Sequence, residues 1–243
     1  MGGYREHAVA PRLAPFVECF WTLETDQDLR DYPVLPDGCV DIVYSRGRRW
    51  TEPQIVGTMT RAQTFSLSAR QFDCGVRFRP GMSAAFLCIP GVATTDASVP
   101  LSEIWGARGR QLGEQFDDAK SPEQCAAVME AQLVNPSEPG VVQRVAAHIV
   151  GRSGQVRVDD LAFDAGMSAR QLRRLFVEEI GLSPKHFCRV IRFRHSLSQL
   201  SRSARGDWAQ VALDSGYYDQ AHFINEFREL SGFTPGEYFS LER

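Results

Sequence analysis

The sequence predicts an α+β protein of two domains: a small β-barrel or sandwich with some helices in the amino-terminal half, and only helices in the carboxy-terminal half. Its 243 residues exceed one typical domain of about 150 residues. Before residue 100, apolar residues alternate along short stretches, as they do in half-buried strands. From Leu101 onward they recur at helical spacing.

Three short stretches carry the strand prediction. The turn Pro36-Asp37-Gly38 precedes a run in which Val40, Ile42 and Tyr44 share one face. A second alternating run covers residues 63–67. A third has one face made of Phe72, Cys74, Val76 and Phe78 and an opposite face made of Asp73, Arg77 and Arg79. Arg-Pro-Gly at 79–81 then ends this strand.

Helices are predicted for residues 101–133, where Ser121 and Pro122 have the pattern of a helix start. The last of these helices has a stripe made of Cys125, Val128, Met129 and Gln132. Two roles stay open for the stripe: packing onto the barrel, or contacts in a homodimer formed through helices 101–133. Residues 135–140 contain two prolines and a glycine. We therefore expect a regulatory domain at 1–135, a linker at 136–140 and a helical domain at 141–243.

Composition and charge exclude several classes of protein. The 43% hydrophobic and 23% charged residues are typical of a soluble globular protein, and the longest apolar stretch, 84–93, is far too short to cross a bilayer. The start of the sequence has no basic-then-apolar signal pattern, so we expect a cytoplasmic protein. Six dispersed cysteines are expected to be reduced and buried. No close pair of Cys or His has zinc-ligand spacing, and we expect no metal and no cofactor.

Positive charge concentrates in the second half. The net charge of the chain is −3, yet residues 165–205 hold nine basic side chains and two acidic ones. Almost all of the basic residues are arginine, whose guanidinium group binds phosphate and guanine in a fork. This charge distribution favours an anionic partner for the carboxy-terminal half.

The carboxy-terminal half contains an internal duplication. Residues 161–166, Leu-Ala-Phe-Asp-Ala-Gly, align with 211–216, Val-Ala-Leu-Asp-Ser-Gly. Downstream, Gly-Leu-Ser-Pro at 181–184 aligns with Gly-Phe-Thr-Pro at 232–235. The chain therefore repeats one structural unit about 50 residues long.

Each copy has the pattern of a helix-turn-helix motif. A short helix ends at a glycine, and a second helix follows a few residues later. Ser168 and Asp219 are expected to cap the two second helices, and Asp207 the helix before the later one. The inner stripes are expected to pack in the core and consist of Leu172, Leu175, Phe176, Phe223 and Phe227. The predicted motifs span about 158–181 and 207–232, and a linker helix at 184–200 joins them.

The opposite faces of the second helices suit DNA. Arg170, Arg173 and Arg174 project from the first turns of the earlier helix, where positive charge opposes the helix dipole. A DNA surface would remove that conflict, and arginine pairs with guanine O6 and N7 in the major groove. Asn and Gln on the later helix suit adenine, and an isoleucine suits the thymine methyl group. A linker helix of about 25 Å fits two reading helices set near the ~34 Å repeat of the major groove.

Residues 141–239 resemble the DNA-binding domain of AraC/XylS-type transcription regulators. The resemblance is strongest at 216–227, Gly-Tyr-Tyr-Asp-Gln-Ala-His-Phe-Ile-Asn-Glu-Phe, and at 232–238. It implies base contacts from the starts of both second helices, which fall here on Arg170, Arg173, Arg174, Gln220, Ala221, Ile224 and Asn225. Phosphate contacts are expected from Gln171, Lys185, Arg189, Arg192 and His222. The start at Arg157 departs from the family pattern, because a hydroxyl cap is usual there.

Two segments of the first half are Pro-Asp-Gly-Cys-Val-Asp at 36–41 and Gly-Val-Arg-Phe-Arg-Pro-Gly at 75–81. Through such segments the first half resembles, more faintly, a cupin-like sensor domain of the same family. Residues 8–140 contain no histidine, which argues against metal-dependent oxygenase chemistry. Arg77 and Arg79 are candidates for binding an anionic effector, and Cys39, Cys74 and Cys88 for sensing oxidants. The resemblance implies double-stranded DNA as a partner across two adjacent major grooves, a small-molecule effector of unknown identity and, as a further candidate partner, RNA polymerase.

Three functions compete at this stage. The first is a one-component transcription regulator without enzymatic activity. The second is an alkyl-DNA repair enzyme fused to the same DNA-binding domain, although the wide cysteine spacing argues against its zinc site. The third is a protein-interaction module whose helical half binds an acidic partner instead of DNA.

Overall fold

The computed structural model describes residues 3–46, 52–200 and 208–241. The first hundred residues form eight strands: β1 (Arg5–His7), β2 (Val17–Thr25), β3 (Leu29–Val34), β4 (Asp41–Arg46), β5 (Gln54–Val56), β6 (Gln63–Leu67), β7 (Gln71–Phe78) and β8 (Ser98–Pro100). Two 3-10 turns, Ser83–Ala85 and Gly91–Ala93, precede β8. The predicted strands at 40–44, 63–67 and 72–78 correspond to β4, β6 and β7.

The strands form two antiparallel sheets. One has six strands in the order β1-β2-β7-β4-β5-β8, and the other pairs β3 with β6. In the large sheet Phe20 and Ile42 both pair with Val76, and all three side chains are buried. Trp21 and Val43 both pair with Gly75 on the other face. One side of the large sheet therefore packs in the core. The side chains on its other side line a cavity, and β3 and β6 line the cavity from the opposite side.

Helices cover the core face of the large sheet. They are α1 (Ser102–Trp105), α2 (Ala107–Asp118) and α3 (Pro122–Gln132). Ser121 caps α3 by accepting a hydrogen bond from the Gln124 amide at 3.3 Å. Cys125 and Met129 of α3 are buried in the same core as Phe116. Cys125 and Met129 of the α3 stripe thus pack on the sheet, and a homodimer formed through helices 101–133 stays a prediction.

The carboxy-terminal half is helical. Its elements are α4 (Val141–Gly151), α5 (Val158–Asp164), α6 (Ala169–Ile180), α7 (Pro184–Leu200), α8 (Trp208–Asp214), α9 (Gln220–Ser231) and α10 (Pro235–Leu241). The predicted motifs and linker helix match α5–α6, α8–α9 and α7. Leu172, Phe176, Phe223 and Phe227 are fully buried as expected, whereas Leu175 is only half-buried. The cap expected at Asp207 lies outside the described residues.

The two halves are in direct contact through the loop between β5 and β6, which covers residues 57–62. Thr58 Oγ1 donates to the Ile180 carbonyl at the end of α6, 2.9 Å away. The Ala62 amide donates to the Leu230 carbonyl near the end of α9 at 2.7 Å. The Thr60 carbonyl lies 2.9 Å from His186 Nε2 at the start of α7. One loop of the amino-terminal half thus contacts both second helices and the linker helix.

Within the described ranges, no helix is long and apolar enough to cross a membrane. The described cysteines are free thiols, and five of the six are buried. Cys88 is exposed, which corrects the expectation that all six are buried. Burial raises the pKa of the Cys19 thiol to about 12 and also raises that of Cys39. A higher pKa leaves less of the reactive thiolate, which argues against an oxidant-sensing role for Cys39.

Candidate nucleic-acid interface

The first helix-turn-helix motif consists of α5 and α6. Gly166 has φ +67°, a left-handed conformation that glycine adopts without steric cost, and it turns the chain between the helices. Ser168 Oγ accepts a hydrogen bond from the Gln171 amide at 3.2 Å and caps α6. No side chain caps α5 at Arg157, but Asp159 and Asp160 lie in its first turn and complement the helix dipole.

The outer face of α6 is cationic and free of core contacts. Arg170, Arg173 and Arg174 are all exposed at its amino-terminal end. Arg174 pairs with Glu178 at 3.1 Å, but their side chains are 66% and 55% exposed. Such a surface pair contributes only about 0.3–0.5 kcal/mol, so an anionic partner displaces it at small cost.

The second motif consists of α8 and α9. Gly216 has φ +78° in the equivalent turn, and the Asp219 carboxylate accepts a hydrogen bond from the His222 amide at 2.7 Å. Gln220, Ala221 and Asn225 are exposed on α9, whereas Ile224 is half-buried and packs partly against the core. The first turns of α9 thus present small and amide side chains, with little of the charge found on α6.

His222 has several partners in its own motif. Its Nδ1 lies 3.3 Å from the Tyr218 amide and its Nε2 lies 3.9 Å from Glu226. Its ring meets the Tyr217 ring edge to face at 5.3 Å. The side chain is still 44% exposed. The sequence-based expectation of a phosphate contact therefore competes with a local structural role.

Glu226 is the residue of this surface that the sequence analysis missed. Its side chain on α9 is only 5% exposed. Arg192 donates to both of its carboxylate oxygens, from Nη2 at 2.7 and 2.9 Å. Arg189 Nε donates to Oε2 at 2.8 Å, and its Nη2 reaches Glu229. The signal available in the sequence is helical spacing: Glu226 lies three residues after Phe223, on the side of α9 that carries the inner stripe.

These ion pairs correct the expected direction of two arginines. Arg189 and Arg192 were expected to contact phosphate, which requires them to point outward from α7, but they turn toward α9 and are only 26% and 17% exposed. Each is paired with carboxylates, so their positive charge is largely compensated. Lys185 and Gln171 are exposed as expected.

One surface depression combines residues from both motifs and the linker helix. It has a volume of about 630 Å³ and is lined by Lys185 from α7, by His222 and Asn225 from α9, and by Val158 at the start of α5. Four residues expected to contact phosphate and one expected to contact a base therefore line one depression: Lys185, Arg189, Arg192, His222 and Asn225.

A second candidate site is a cavity of about 530 Å³ between the two sheets, which we call the inter-sheet cavity. Arg77 lines it, as expected for an effector contact, but its Nε and Nη2 donate to the two oxygens of Asp41 at 3.2 and 3.0 Å. Asp41 raises the pKa of Arg77. Arg79 lies outside the cavity and donates to the Ala14 carbonyl at 2.7 Å. The two arginines therefore do not form the anion clamp considered from the sequence.

In the part of the chain that the structure describes, no three His, Cys, Asp or Glu residues are grouped so that they could hold a metal ion.

Two family models match the chain. One, described as a domain of unknown function (DUF6597), matches residues 5–100, and the other, described as a helix-turn-helix domain, matches residues 161–240. The second match covers α5 to α10 and therefore both motifs.

Two curated relatives share parts of the sequence. The chain is 32% identical over 81 residues to an uncharacterized HTH-type transcriptional regulator of Haemophilus influenzae, which is 33% of this chain and 27% of that protein. It is 27% identical over 170 residues to the HTH-type transcriptional regulator GlxA of Rhizobium meliloti, which is 63% of this chain and 50% of that protein. The chain spans half or less of the length of these curated relatives.

Solved structures also match. A DNA-binding transcriptional dual regulator from Escherichia coli is 26% identical, with a TM-score of 0.37, over 43% of this chain and 99% of that one. ToxT from Vibrio cholerae is 11% identical, with a TM-score of 0.46, over 98% of this chain and 97% of that one.

Proposed function

We propose that this chain, whose residues 161–240 match a helix-turn-helix domain model, is a one-component transcription regulator of the AraC/XylS type. In this proposal residues 141–241 bind DNA, and the amino-terminal half responds to a small molecule. The proposal includes no enzymatic activity, and it takes DNA to be the partner of the basic surface.

One observation carries the proposal: two short helices, α6 and α9, each begin with exposed side chains directly after a left-handed glycine turn. The first turns of a recognition helix are the part that contacts base edges in the major groove. The 17-residue helix α7 separates the motifs and is about 25 Å long at 1.5 Å per residue. A single chain therefore carries two reading helices suited to adjacent grooves.

The charge on α6 supports DNA over an uncharged partner. Arg170 lies in the first turn of α6, where its charge opposes the helix dipole at a cost of about 0.3–1 kcal/mol, and Arg173 and Arg174 are exposed one turn later. Phosphates of a DNA backbone would reverse that cost, and guanine offers arginine a bidentate pair. We assign Arg170, Arg173 and Arg174 to base readout on this ground.

The second reading helix has a different assignment. Gln220 and Asn225 are exposed amides suited to adenine, and Ala221 lets the backbone of α9 approach the bases. Ile224 retains partial exposure, enough for a thymine methyl contact at the edge of the helix. We expect weaker discrimination from α9 than from α6 because it has no cation in its first turn.

Phosphate contacts are assigned mainly to Lys185 and Gln171, which are exposed. Arg189 and Arg192 are secondary, because Glu226 compensates their charge. His222 is also secondary, because its ring already has partners in its own motif.

The proposal is tested by selecting genomic DNA fragments with the purified full chain and measuring binding by fluorescence anisotropy at several salt concentrations. A slope of about −0.9Z in log K against log salt reports Z phosphate contacts. Failure to enrich any fragment would contradict the proposal and favour an acidic protein partner.

Three substitutions then separate the roles. Arg170→Ala and Arg174→Ala are each expected to lose about 1–3 kcal/mol of discrimination between the selected site and random DNA. Lys185→Ala is expected to weaken both complexes alike and to reduce the salt slope by about 1. Arg110→Ala, an exposed arginine on α2, is the matched control. Equal losses on both DNAs from all three substitutions would refute the assignment of roles.

A further inference from the structure

The inter-sheet cavity is large enough for a small molecule and is mostly apolar. Its 530 Å³ lies within the roughly 300–1,000 Å³ of ligand pockets. Trp21 and Val43 line it from the large sheet, and Leu29 and Phe65 from the small one. Burial of apolar ligand surface against such walls is the main source of affinity available there.

The charged groups of the cavity are paired with one another. Arg77 is held by both oxygens of Asp41 and lies 3.6 Å from Asp37. Arg194, which reaches the cavity from α7, forms an ion pair with Glu18. An anionic ligand would therefore have to displace a carboxylate from each guanidinium group.

Around Asp73, at the other end of the cavity, the carboxylate is already hydrogen-bonded, whereas Trp21 Nε1 and Thr25 Oγ1 are buried polar atoms without a partner among the described residues that could bond a neutral polar group. Gln71 Nε2 donates to both oxygens of Asp73 at 2.8 and 2.9 Å, and Ser45 donates to the same carboxylate. A cation entering there would have to compete with these donors and lose its own hydration. Neither end of the cavity is thus prepared for a charged group.

We propose that the inter-sheet cavity binds a neutral, largely apolar small molecule, and that its occupancy is transmitted to α6 and α9 through the β5–β6 loop. The binding step stands on the cavity alone, whereas the transmission rests on the proposed DNA-binding function.

The route of transmission follows from the residues that line the cavity. Val56, Gly57 and Met59 form part of its wall at the start of the β5–β6 loop. In the same loop, Thr58 is hydrogen-bonded to the end of α6 and Ala62 to the end of α9. The helical half also reaches the cavity directly through Tyr238 of α10. A ligand that shifts this wall therefore shifts groups bonded to both reading helices.

The binding step is tested with three fluorescent probes on the full chain without DNA. Nile red is neutral and apolar, cis-parinarate is an acyl carboxylate, and rhodamine 6G is cationic. We expect Nile red to bind at one site per chain and to bind more tightly than either charged probe. Tighter binding of cis-parinarate or rhodamine 6G at that site would overturn the neutral class.

The site is located by filling the cavity. Val56→Trp and Leu23→Trp place a larger side chain on two different walls, and each is expected to raise the Nile red Kd about tenfold or more. Val134→Trp is the matched control, because Val134 is exposed and does not line the cavity. Two filling variants are used so that a folding defect in one does not decide the result. Unchanged Nile red binding in whichever of them folds would overturn the site.

The transmission step is tested by reciprocity. If the cavity and the helices are coupled, saturating selected DNA must change the Nile red Kd, by about fivefold or more for a coupling of 1 kcal/mol. Thr58→Val removes the bond to α6 and is expected to reduce this factor toward one. Thr22→Val is the control, because Thr22 is buried and bonded to His7, away from the contact between the halves. An unchanged Kd in the wild-type protein would overturn the transmission. If no DNA is selected, the proposed function is contradicted. The Nile red measurements on the filling variants then still decide whether the inter-sheet cavity is the binding site.

Discussion

Replacement of Glu226 by Gln is the sharpest test of how the second motif is held to the linker helix α7. The carboxylate is 5% exposed and receives hydrogen bonds from Arg189 and Arg192, so Glu226→Gln leaves two guanidinium groups facing a neutral side chain. Removing one partner of a fully buried ion pair costs about 3–5 kcal/mol. The arginines retain 26% and 17% exposure, and Arg189 keeps Glu229, so we expect a smaller loss than for a fully buried pair, about 2–3 kcal/mol.

Thermal unfolding of the full chain measures this cost. A loss of 2–3 kcal/mol corresponds to a fall in Tm of about 5–10 °C for a protein of this size. Glu178→Gln is the matched control: it also breaks an arginine pair on a reading helix, but both side chains are more than half exposed. Its cost is expected to stay below about 0.5 kcal/mol. If the two variants shift Tm equally, the reasoning from burial is wrong.

Three further predictions concern local structure. Gly216→Ala is expected to lower the free energy of unfolding by about 1–2 kcal/mol in chemical unfolding, because a residue with a β-carbon is strained at φ +78° and that carbon would lie 2.6 Å from the Gln155 side chain. The control is Gly236→Ala, which should be neutral or stabilising because the space around Gly236 is open. Asp219→Ala removes the cap of α9 and should cost about 1 kcal/mol in the same assay; no loss would show that the amide of His222 finds another acceptor. Mild maleimide labelling followed by mass spectrometry should modify Cys88 first, since the other cysteines are buried; preferential labelling of Cys39 would contradict its burial and its raised pKa.

In the helical half, the five described helices α5 to α9 correspond to elements predicted from sequence, whereas α4 and α10 were not predicted individually. The duplication located both motifs and the linker helix, and it did so because each motif depends on local signals. Ser168 and Asp219 cap the helices, and Gly166 and Gly216 turn the chain, through contacts within a few residues. Signals of this kind are visible without knowledge of the rest of the fold.

The amino-terminal half was harder to predict. Strand β2 was missed because both of its faces are buried: Phe20 faces the core, while Trp21 faces the inter-sheet cavity. Apolar and polar residues do not alternate along a strand that is buried on both faces, so its sequence pattern fits a helix as well as a strand. The same cavity explains why Arg77, on the face of β7 opposite to the core, lines an interior site.

The sequence by itself determined which segments read DNA in our proposal, because caps, glycine turns and an exposed cationic face are properties of neighbouring residues. Only the tertiary structure decided which of the cations are free to do so. Arg192 and Arg170 look alike in sequence, yet one meets a buried carboxylate 34 residues away and the other meets solvent. The physical reason is that an ion pair forms between side chains that are close in space. The separation of two helices along the chain does not reveal whether they are in contact.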